Sequence, residues 1–387
     1  TGRMQAVMLH TGVGLLQGSM GIDAANRAGL PMVVVSGESQ TYSEQGGFEP
    51  GPQWHGVLSV VGGPSSLVDR ITKWSQPVSS PHTLHEQLIR AGEMAQRSPP
   101  GPVYMSIPIE TMLHGWTPPQ NPRKVPPAPK PAPPSTDIEA VADMLLTSKA
   151  PAIVAESIGR DPAGYAATIE LADLLAIPVS ECRWLDFTNF PKDHPMYQGM
   201  GEPEYLHDSD VVLTLRARAP WTPPSAKPAK AKIVNIDETP FRPHMVHQSL
   251  QADIFLEGDA VATLKSLVAV IREKGVDAAV VASRFRKWSA AHDNLVAGKK
   301  SLEHASLAKN TITPVGLCAM LGNILPDDSV YIDETITHRP IIVRHLAFQG
   351  PQSFFSVPSG GLGQGLGLAL GTKLAMRDRL VVSVIGD

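Results

Sequence analysis

Short apolar segments alternate with helix-like segments along most of this 387-residue chain. The apolar segments, for example 152–155, 211–215 and 233–236, consist mainly of Val, Ile, Leu and Ala. Such runs are typical of strands that are buried on both faces of a parallel sheet, with helices as the crossover connections. The alternation therefore predicts an α/β fold that is built from doubly wound parallel sheets.

A proline-rich segment at 118–135 interrupts this alternation. Because proline fixes φ and lacks a backbone N–H, the segment predicts a stiff, extended linker. A polar, Lys- and Ser-rich stretch predicts a second connector at 276–312. The chain is also too long for one hydrophobic core. We therefore predict three α/β domains in series, at 1–117, 136–275 and 313–387.

The composition limits the classes of partner. Hydrophobic residues make up 42% of the chain and charged residues 18%, and the net charge is −4. This balance predicts neither nucleic acid nor membrane as a partner and favours a small-molecule substrate. Cys182 and Cys318 lie too far apart in sequence to indicate a zinc site or a disulfide framework. The cysteine pattern favours a reducing cytoplasm, and no apolar run approaches the ~20 residues that cross a bilayer, so we expect a soluble, cytoplasmic protein.

Three predicted strands end in polar residues or glycine. His10 follows the strand at 6–9, Glu334 ends a strand that begins at Val330, and Gly386-Asp387 end the last apolar run. In open parallel sheets, ligands bind beyond the carboxyl ends of the strands. Between the last two lies Ser-Gly-Gly-Leu-Gly-Gln-Gly at 359–365, where backbone can approach a ligand and helix-start amides favour an anion.

Each of these features also has an ordinary structural interpretation. The glycine run loosely fits a dinucleotide fingerprint, although that motif belongs in the first βαβ unit of its domain. Asp387 and Glu334 could cap helices, Leu362 could pack in a core, and His10 could form a hydrogen bond at a turn. No single motif decides between these interpretations.

Seven short segments of the chain, taken in order, resemble the thiamine-diphosphate-dependent 2-oxo-acid decarboxylase and acetohydroxyacid synthase family. The resemblance is strongest to the benzoylformate-decarboxylase-like members of that family. The resemblance spans nearly the whole chain. It implies that the three domains are the pyrimidine-binding, central and diphosphate-binding domains. The segments that carry it are 9–14, 31–38, 72–75, 101–108, 209–213, 360–363 and 384–387.

The resemblance also implies roles for the candidate residues at the cofactor. Gly386 and Asp387 would begin a Gly-Asp-Gly motif, in which Asp387 binds the magnesium ion that bridges to the diphosphate. Leu362 would hold the cofactor in a bent shape. The Gly360 carbonyl would accept a hydrogen bond from the cofactor's amino group. The adjacent Gly361 would also lie at the cofactor.

Two further residues are assigned to the substrate side of the site. Glu334 would contact the cofactor or the substrate. His10 corresponds to an active-site histidine of the benzoylformate-decarboxylase-like members, and its expected role is proton transfer, to which histidine is suited near neutral pH.

The implied reaction is loss of carbon dioxide from a 2-oxo acid through an enamine intermediate. Acetolactate-synthase-type carboligation by the same cofactor is the alternative. From other classes, a dinucleotide-dependent oxidoreductase or a non-catalytic relative stays open. Some synthase-type members hold a flavin against the central domain, and no residue of that domain supports or excludes one here. A homodimer or homotetramer is expected by resemblance.

Both ends of the chain predict a piece of a longer enzyme, with incomplete first and last domains. The chain begins Thr1-Gly2 without methionine and ends at Gly386-Asp387. By resemblance, the catalytic glutamate would precede Thr1 and the other metal ligands would follow Asp387. We therefore expect the 387-residue polypeptide alone to lack decarboxylase activity and to bind the cofactor poorly.

Overall fold

The computed structural model describes residues 2–39 and 59–386. It divides into two compact units, the first containing 1–129 with 358–361 and the second containing 130–357 with 362–387. Together they hold three sheets, and every strand pairing within these sheets is parallel. The predicted α/β class with parallel sheets is thus confirmed, whereas the three domain boundaries stay a prediction.

The first unit has a four-stranded sheet in the order β1-β2-β4-β3. Apolar residues on both faces of this sheet pack against helices. Its elements are β1 (Gln5–Leu9), α1 (Thr11–Arg27), β2 (Met32–Glu38), α2 (Pro64–Val68), β3 (Trp74–Pro77), α3 (Pro81–Gln96), β4 (Pro102–Pro108) and α4 (Ile109–Leu113).

The apolar residues 6–9 also read as a strand that is buried on both faces, and that prediction of burial is wrong. These residues do form β1, but β1 pairs only with β2 among the described strands, which makes it an edge strand there, and Met8 is 86% exposed. An apolar run at an edge is indistinguishable in sequence from one at the centre of a sheet, because the number of neighbours is a property of the tertiary structure.

The second unit begins with a six-stranded sheet in the order β10-β9-β8-β5-β6-β7. The main hydrophobic cluster of the chain surrounds it. The elements are α5 (Ser135–Thr147), β5 (Pro151–Ala155), α6 (Pro162–Leu175), β6 (Val179–Glu181), β7 (Tyr197–Met200), β8 (Val211–Leu215), β9 (Lys232–Asp237), β10 (Ile254–Glu257), α7 (Ala260–Lys274) and α8 (Ala278–Leu307).

Most of the polar segment that we predicted as a connector at 276–312 forms the 30-residue helix α8. Asp277 caps its start by accepting from the Ala279 amide at 2.8 Å. Its buried residues are Arg284, Trp288 and His292, which follow each other at a spacing of four along one face. This stripe contains one apolar residue among two polar ones, so the hydrophobic periodicity that normally predicts a packed helix is weak.

A three-stranded sheet in the order β12-β11-β13 completes the second unit. Thr313 caps α9 (Pro314–Ile324), the helix that precedes the first strand of this sheet in sequence. Its Oγ1 accepts from the Gly316 amide at 3.1 Å, as expected for a hydroxyl before Pro314. No helix in the described part of the chain is long and apolar enough to cross a membrane. The elements are α9 (Pro314–Ile324), β11 (Val330–Glu334), α10 (Arg339–His345), β12 (Phe354–Ser356), α11 (Gly365–Ala375) and β13 (Val381–Ile385).

Candidate active site

His10 lies at the carboxyl edge of the first sheet, directly after β1 and before α1. Its backbone carbonyl accepts from the Gly14 amide at 2.7 Å, which closes the first turn of the helix. The residue is exposed. The imidazole is therefore accessible at the edge where ligands bind in parallel sheets.

Glu38, which ends the neighbouring strand β2, was not recognised from the sequence as a site residue. Its carboxylate is buried and accepts from the Ser39 amide at 2.7 Å and from Ser59 Oγ at 3.0 Å. On the same strand, Ser36 Oγ lies 2.6 Å from the Tyr104 hydroxyl. Burial, with the nearby Glu38 charge, raises the pKa of Tyr104 to about 12, so the phenol is neutral at physiological pH.

Glu334 ends β11 in the second unit, and its side chain caps helix α11, which begins 31 residues later at Gly365. Oε1 accepts from the Gln364 amide at 2.8 Å and Oε2 from the Gly365 amide at 2.9 Å. A carboxylate at this position satisfies two amides that α11 leaves without intrahelical partners, and it also complements the helix dipole. Glu334 thus fixes the end of the glycine run relative to β11.

The adjacent carboxylates Asp333 and Glu334 have different hydrogen-bond partners in the structure. Asp333, not Glu334, binds Thr335, accepting from its amide at 3.0 Å and from its hydroxyl at 2.7 Å. A helix-capping role was the ordinary interpretation of Glu334, and the helix that it caps is α11. The contact of Glu334 with cofactor or substrate stays a prediction.

The glycine run forms a turn that precedes α11, and the helix begins at Gly365 instead of at Gly360. Gly363 has φ +89°, a conformation that L-residues rarely adopt and that interrupts a helix. Gly365 packs so closely on Glu334 that a Cβ would lie 2.7 Å from Oε2. These two glycines are therefore required by the local geometry.

The other predicted residues of the run differ in environment. Leu362 is 72% exposed, which excludes core packing within the described structure. Gly360 is exposed, and apart from its own atoms and those of its two chain neighbours, no described atom lies within 4 Å of where its Cβ would be. The Gly361 amide donates to Ser359 Oγ at 3.5 Å. Gly360 and Gly361 group with the first compact unit and Leu362 with the second.

Gly386 follows β13, which pairs with β11 so that Ile385 is the register partner of Glu334. The Gly386 amide donates to the Glu334 carbonyl at 3.3 Å. The structure therefore brings together two strand ends that the sequence predicted separately. Asp387, the predicted magnesium ligand, lies outside the described residues, within which no group of three metal-ligating side chains is found.

The second unit contains a buried ionic network that the sequence did not predict. It includes Asp333, the residue that precedes Glu334 on β11. The guanidinium of Arg218 binds Glu156 and lies 2.7 Å from Asp186 Oδ2, while the Arg218 amide donates to Glu156 Oε2 at 2.6 Å. Arg339 donates to the Leu185 carbonyl at 2.6 Å, and its Nε lies 3.6 Å from Asp333 Oδ2. The network connects the six-stranded sheet with β11.

Burial changes the pKa values of the groups in this network. It raises the pKa values of Asp186 and Asp333 above the usual range, partly opposed by the neighbouring guanidinium groups. Burial also lowers the pKa of Arg339. For Arg218, burial would lower the pKa, but the charges of Glu156 and Asp186 outweigh it and raise the pKa. Sequence offered no signal for this network because its members lie far apart along the chain.

The carboxyl edge of the six-stranded sheet holds two further ion pairs. Arg216 binds Glu238, and Arg242 lies 2.7 Å from Asp237 Oδ2. Both guanidinium groups are thus held by carboxylates of the same edge. Binding of a flavin by this domain stays without support from either sequence or structure.

Two family models match the chain. The N-terminal thiamine-pyrophosphate-binding domain of thiamine pyrophosphate enzymes matches residues 1–59, and the central domain of these enzymes matches residues 138–267. Thiamine pyrophosphate is another name for thiamine diphosphate. Both models describe domains of thiamine pyrophosphate enzymes, so these two parts of the chain match that family. The resemblance inferred from the sequence is thereby confirmed.

Similar proteins of this family include both predicted types of thiamine pyrophosphate enzyme. A benzoylformate decarboxylase from Pseudomonas aeruginosa is 25% identical over 415 aligned positions, which cover 100% of this chain and 70% of the relative. An acetolactate synthase from Mycobacterium bovis is 24% identical, with 80% of this chain and 53% of the relative covered. The aligned regions thus span between 53% and 70% of the length of these relatives.

The fold is similar to that of solved thiamine pyrophosphate enzymes. The crystal structure of benzoylformate decarboxylase from Polynucleobacter necessarius superposes with a TM-score of 0.77 at 20% identity, covering 100% of this chain and 69% of that one. A 4-hydroxybenzoylformate decarboxylase from Rhodococcus jostii gives a TM-score of 0.77 at 21% identity. At this level of identity, the likeness supports the fold alone.

Proposed function

We propose that the protein decarboxylates a 2-oxo acid with thiamine diphosphate and magnesium as cofactors. The observation that carries the proposal is the alignment of the entire chain with benzoylformate decarboxylase. Acetolactate-synthase-type carboligation is the second candidate, favoured by the synthases among the relatives. Both reactions begin with the same loss of carbon dioxide, and they differ in whether the product is then protonated or joined to a second carbonyl compound.

The glycine turn fits a thiamine diphosphate site. Gly360 and Gly363 have open space where side chains would be, so a ligand can approach the backbone there. Leu362 presents an exposed apolar side chain, which suits contact with an organic ring. We propose that Gly360, Gly361 and Leu362 hold the cofactor and that Glu334 positions the turn. When bound, thiamine diphosphate supplies an electron sink for the electron pair released as carbon dioxide leaves.

Within this proposal, Asp387 would hold the magnesium ion, for which a carboxylate oxygen is a suitable ligand, and Gly386 would lie at the cofactor. The hydrogen bond from the Gly386 amide to the Glu334 carbonyl keeps Gly386 next to the strand that carries Glu334. His10 exchanges a proton with the substrate-derived carbon or oxygen, since its imidazole is exposed at the carboxyl edge of the first sheet.

The test is turnover by the complete protein, including any sequence that flanks these 387 residues, with thiamine diphosphate, magnesium and a panel of 2-oxo acids. We expect release of carbon dioxide and an aldehyde, and no reaction with NAD in place of the cofactor. A ligation product from two substrate molecules would favour the synthase-type candidate. Failure of every 2-oxo acid would contradict both.

The role of His10 is tested by His10→Ala. General acid–base groups contribute on the order of 10²–10⁴-fold, so we expect a loss of kcat in this range with unchanged binding of thiamine diphosphate. His82→Ala is the matched control, because His82 is also an exposed histidine of the first unit, at the start of α3. Equal rates for the two variants would remove His10 from the mechanism.

We also propose that the protein associates with a second copy of itself through α11. Leu366, Leu370 and Leu374 are 65%, 68% and 70% exposed and repeat every four residues, which forms one apolar stripe along α11. Soluble monomers rarely expose a continuous apolar patch of this kind. A stripe on one face can pack against its own copy around a two-fold axis.

Replacing both Leu366 and Leu370 by glutamate is expected to weaken self-association of the complete protein by more than about tenfold, because central interface residues typically contribute over 1 kcal/mol each. Sedimentation velocity over a concentration series measures this. Leu302→Glu is the control, since Leu302 is an exposed leucine on α8. An unchanged mass for the double variant would show that the stripe does not mediate association.

A further inference from the structure

Thr11 has a backbone conformation that is unusual for its residue type. It follows His10 at the carboxyl end of β1 with φ +48°. For a β-branched residue a positive φ is a genuine outlier, because Cβ and its substituents crowd the backbone. Strained residues persist only where the surrounding structure imposes them, and they are concentrated at binding and catalytic sites.

The hydroxyl of Thr11 is buried without a hydrogen bond. The residue is 7% exposed, and within the described structure its Oγ1 has no partner. Most buried hydroxyl groups in proteins are paired, because an unpaired one costs its desolvation energy. The backbone strain and the unpaired hydroxyl occur in the same residue. Thr11 therefore destabilises the folded protein in two ways at one point of the sheet edge.

The start of α1 adds a preference for negative charge at this point. The helix has 17 residues, no side chain caps it and its first turn contains no acidic residue. The amides of such a first turn point outward, and the helix dipole favours an anion there. Thr11 is the first residue of this helix, so its hydroxyl and these amides lie together.

A second buried hydroxyl without a partner lies on the same edge. Ser39 follows β2, the only described neighbour of β1, and is 6% exposed with no hydrogen bond to Oγ. The neighbouring Glu38 carboxylate does not bind this hydroxyl. It accepts instead from the Ser39 amide and from the Ser59 hydroxyl. Between the two strand ends, Gly37 has no side chain, and its Cβ position lies 3.7 Å from the Thr11 methyl carbon.

We propose that the Thr11 hydroxyl, together with the first-turn amides of α1, binds the carboxylate of the 2-oxo acid. This assignment rests on the function proposed above and extends it to the group that recognises the acid. A hydroxyl donates to one carboxylate oxygen while the amides donate to the other, next to the proton-transfer group of His10. The adjacent Ser39 hydroxyl supplies a further donor on the same edge.

The experiment compares Thr11→Val, which removes the hydroxyl but keeps the shape, with Thr11→Ser, which keeps the hydroxyl. The probes are lactate and mandelate, unreactive 2-hydroxy analogues of pyruvate and benzoylformate, and the corresponding amides, titrated calorimetrically into the complete protein loaded with thiamine diphosphate and magnesium. For Thr11→Val we expect about 10- to 100-fold weaker binding of the acids, as for a lost hydrogen bond to a charged group, and little change for the amides. Thr11→Ser should bind the acids within about threefold of the wild type.

A purely structural role predicts a different result. In that case, Thr11→Val would alter thermal stability and leave binding of the acids unchanged, which would overturn the proposal. Thr11→Gly provides a second comparison, since glycine accepts a φ of +48° without strain. It should be more stable than Thr11→Val yet bind the acids equally weakly. If the wild type neither binds nor converts any 2-oxo acid, the proposed function fails and this inference with it.

Discussion

Replacing Arg218 by methionine is expected to destabilise the second unit by about 3–5 kcal/mol, the usual cost of removing one partner from a buried ion pair. The variant leaves Glu156 and Asp186 buried without the guanidinium that binds both. Denaturation by urea, followed by circular dichroism, measures the change in the free energy of unfolding.

The matched control is Arg272→Met. Arg272 forms an ion pair with Glu170 at 2.7 Å, but the two side chains are 59% and 38% exposed. A pair of this kind contributes about 0–1 kcal/mol. Equal losses for the two variants would show that the buried network does not stabilise the fold.

The sign of the pH dependence gives a second readout of the same variant. Burial raises the pKa of Asp186 in the folded protein, so the folded state binds a proton more readily than the unfolded state. The contribution of such a carboxyl group to the free energy of unfolding falls as the pH rises from below its unfolded-state pKa to above its raised folded-state pKa. Without Arg218 the effect grows, and we expect the deficit of Arg218→Met to be smaller at about pH 5 than at about pH 8.

Replacing Glu334 by alanine is expected to cost about 1–3 kcal/mol of stability, because the amides of Gln364 and Gly365 lose their acceptor. We also expect thiamine diphosphate to bind the complete protein on the order of 10- to 100-fold more weakly, as is typical for loss of an outer contact that orients a ligand site. Calorimetry with the cofactor and magnesium measures the second effect, and thermal unfolding the first.

Two further variants define this result. Glu257→Ala removes an exposed carboxylate at the end of β10 and should change stability by less than about 0.5 kcal/mol. Gly365→Ala places a Cβ 2.7 Å from Glu334 Oε2 and should reproduce the Glu334→Ala defect from the other side of the contact. Normal cofactor affinity in both Glu334→Ala and Gly365→Ala would exclude Glu334 as the residue that positions the turn.

Local patterns predicted the elements well where periodicity and capping agree. Helix α3 begins after Ser80, whose hydroxyl accepts from the His82 amide at 3.2 Å, as expected for a serine before proline. The last strand covers Val381–Ile385, within the predicted apolar run. These features depend on interactions within a few residues, which a sequence contains completely.

The candidate site was predicted only in part. His10, Glu334 and the glycine run were selected because each lies at a strand end or helix start, and the structure places them there. The partner of Glu334 was missed because capping of α11 joins residues 30 positions apart. Thr11 was missed because neither a positive φ nor an unpaired hydroxyl has a signature in composition or spacing.

Sequence by itself determined the α/β class, the parallel arrangement of the strands, the resemblance to thiamine pyrophosphate enzymes and the strand ends of the candidate site. These depend on residue type and short-range order, since hydrophobic periodicity and helix caps act over a few residues. Tertiary structure alone decided that β1 is an edge strand, that the polar connector is the helix α8, that Glu334 caps α11 and that Arg218 and Arg339 are buried among carboxylates. Each of these depends on contacts between distant segments, whose burial and pairing are fixed only when the chain packs.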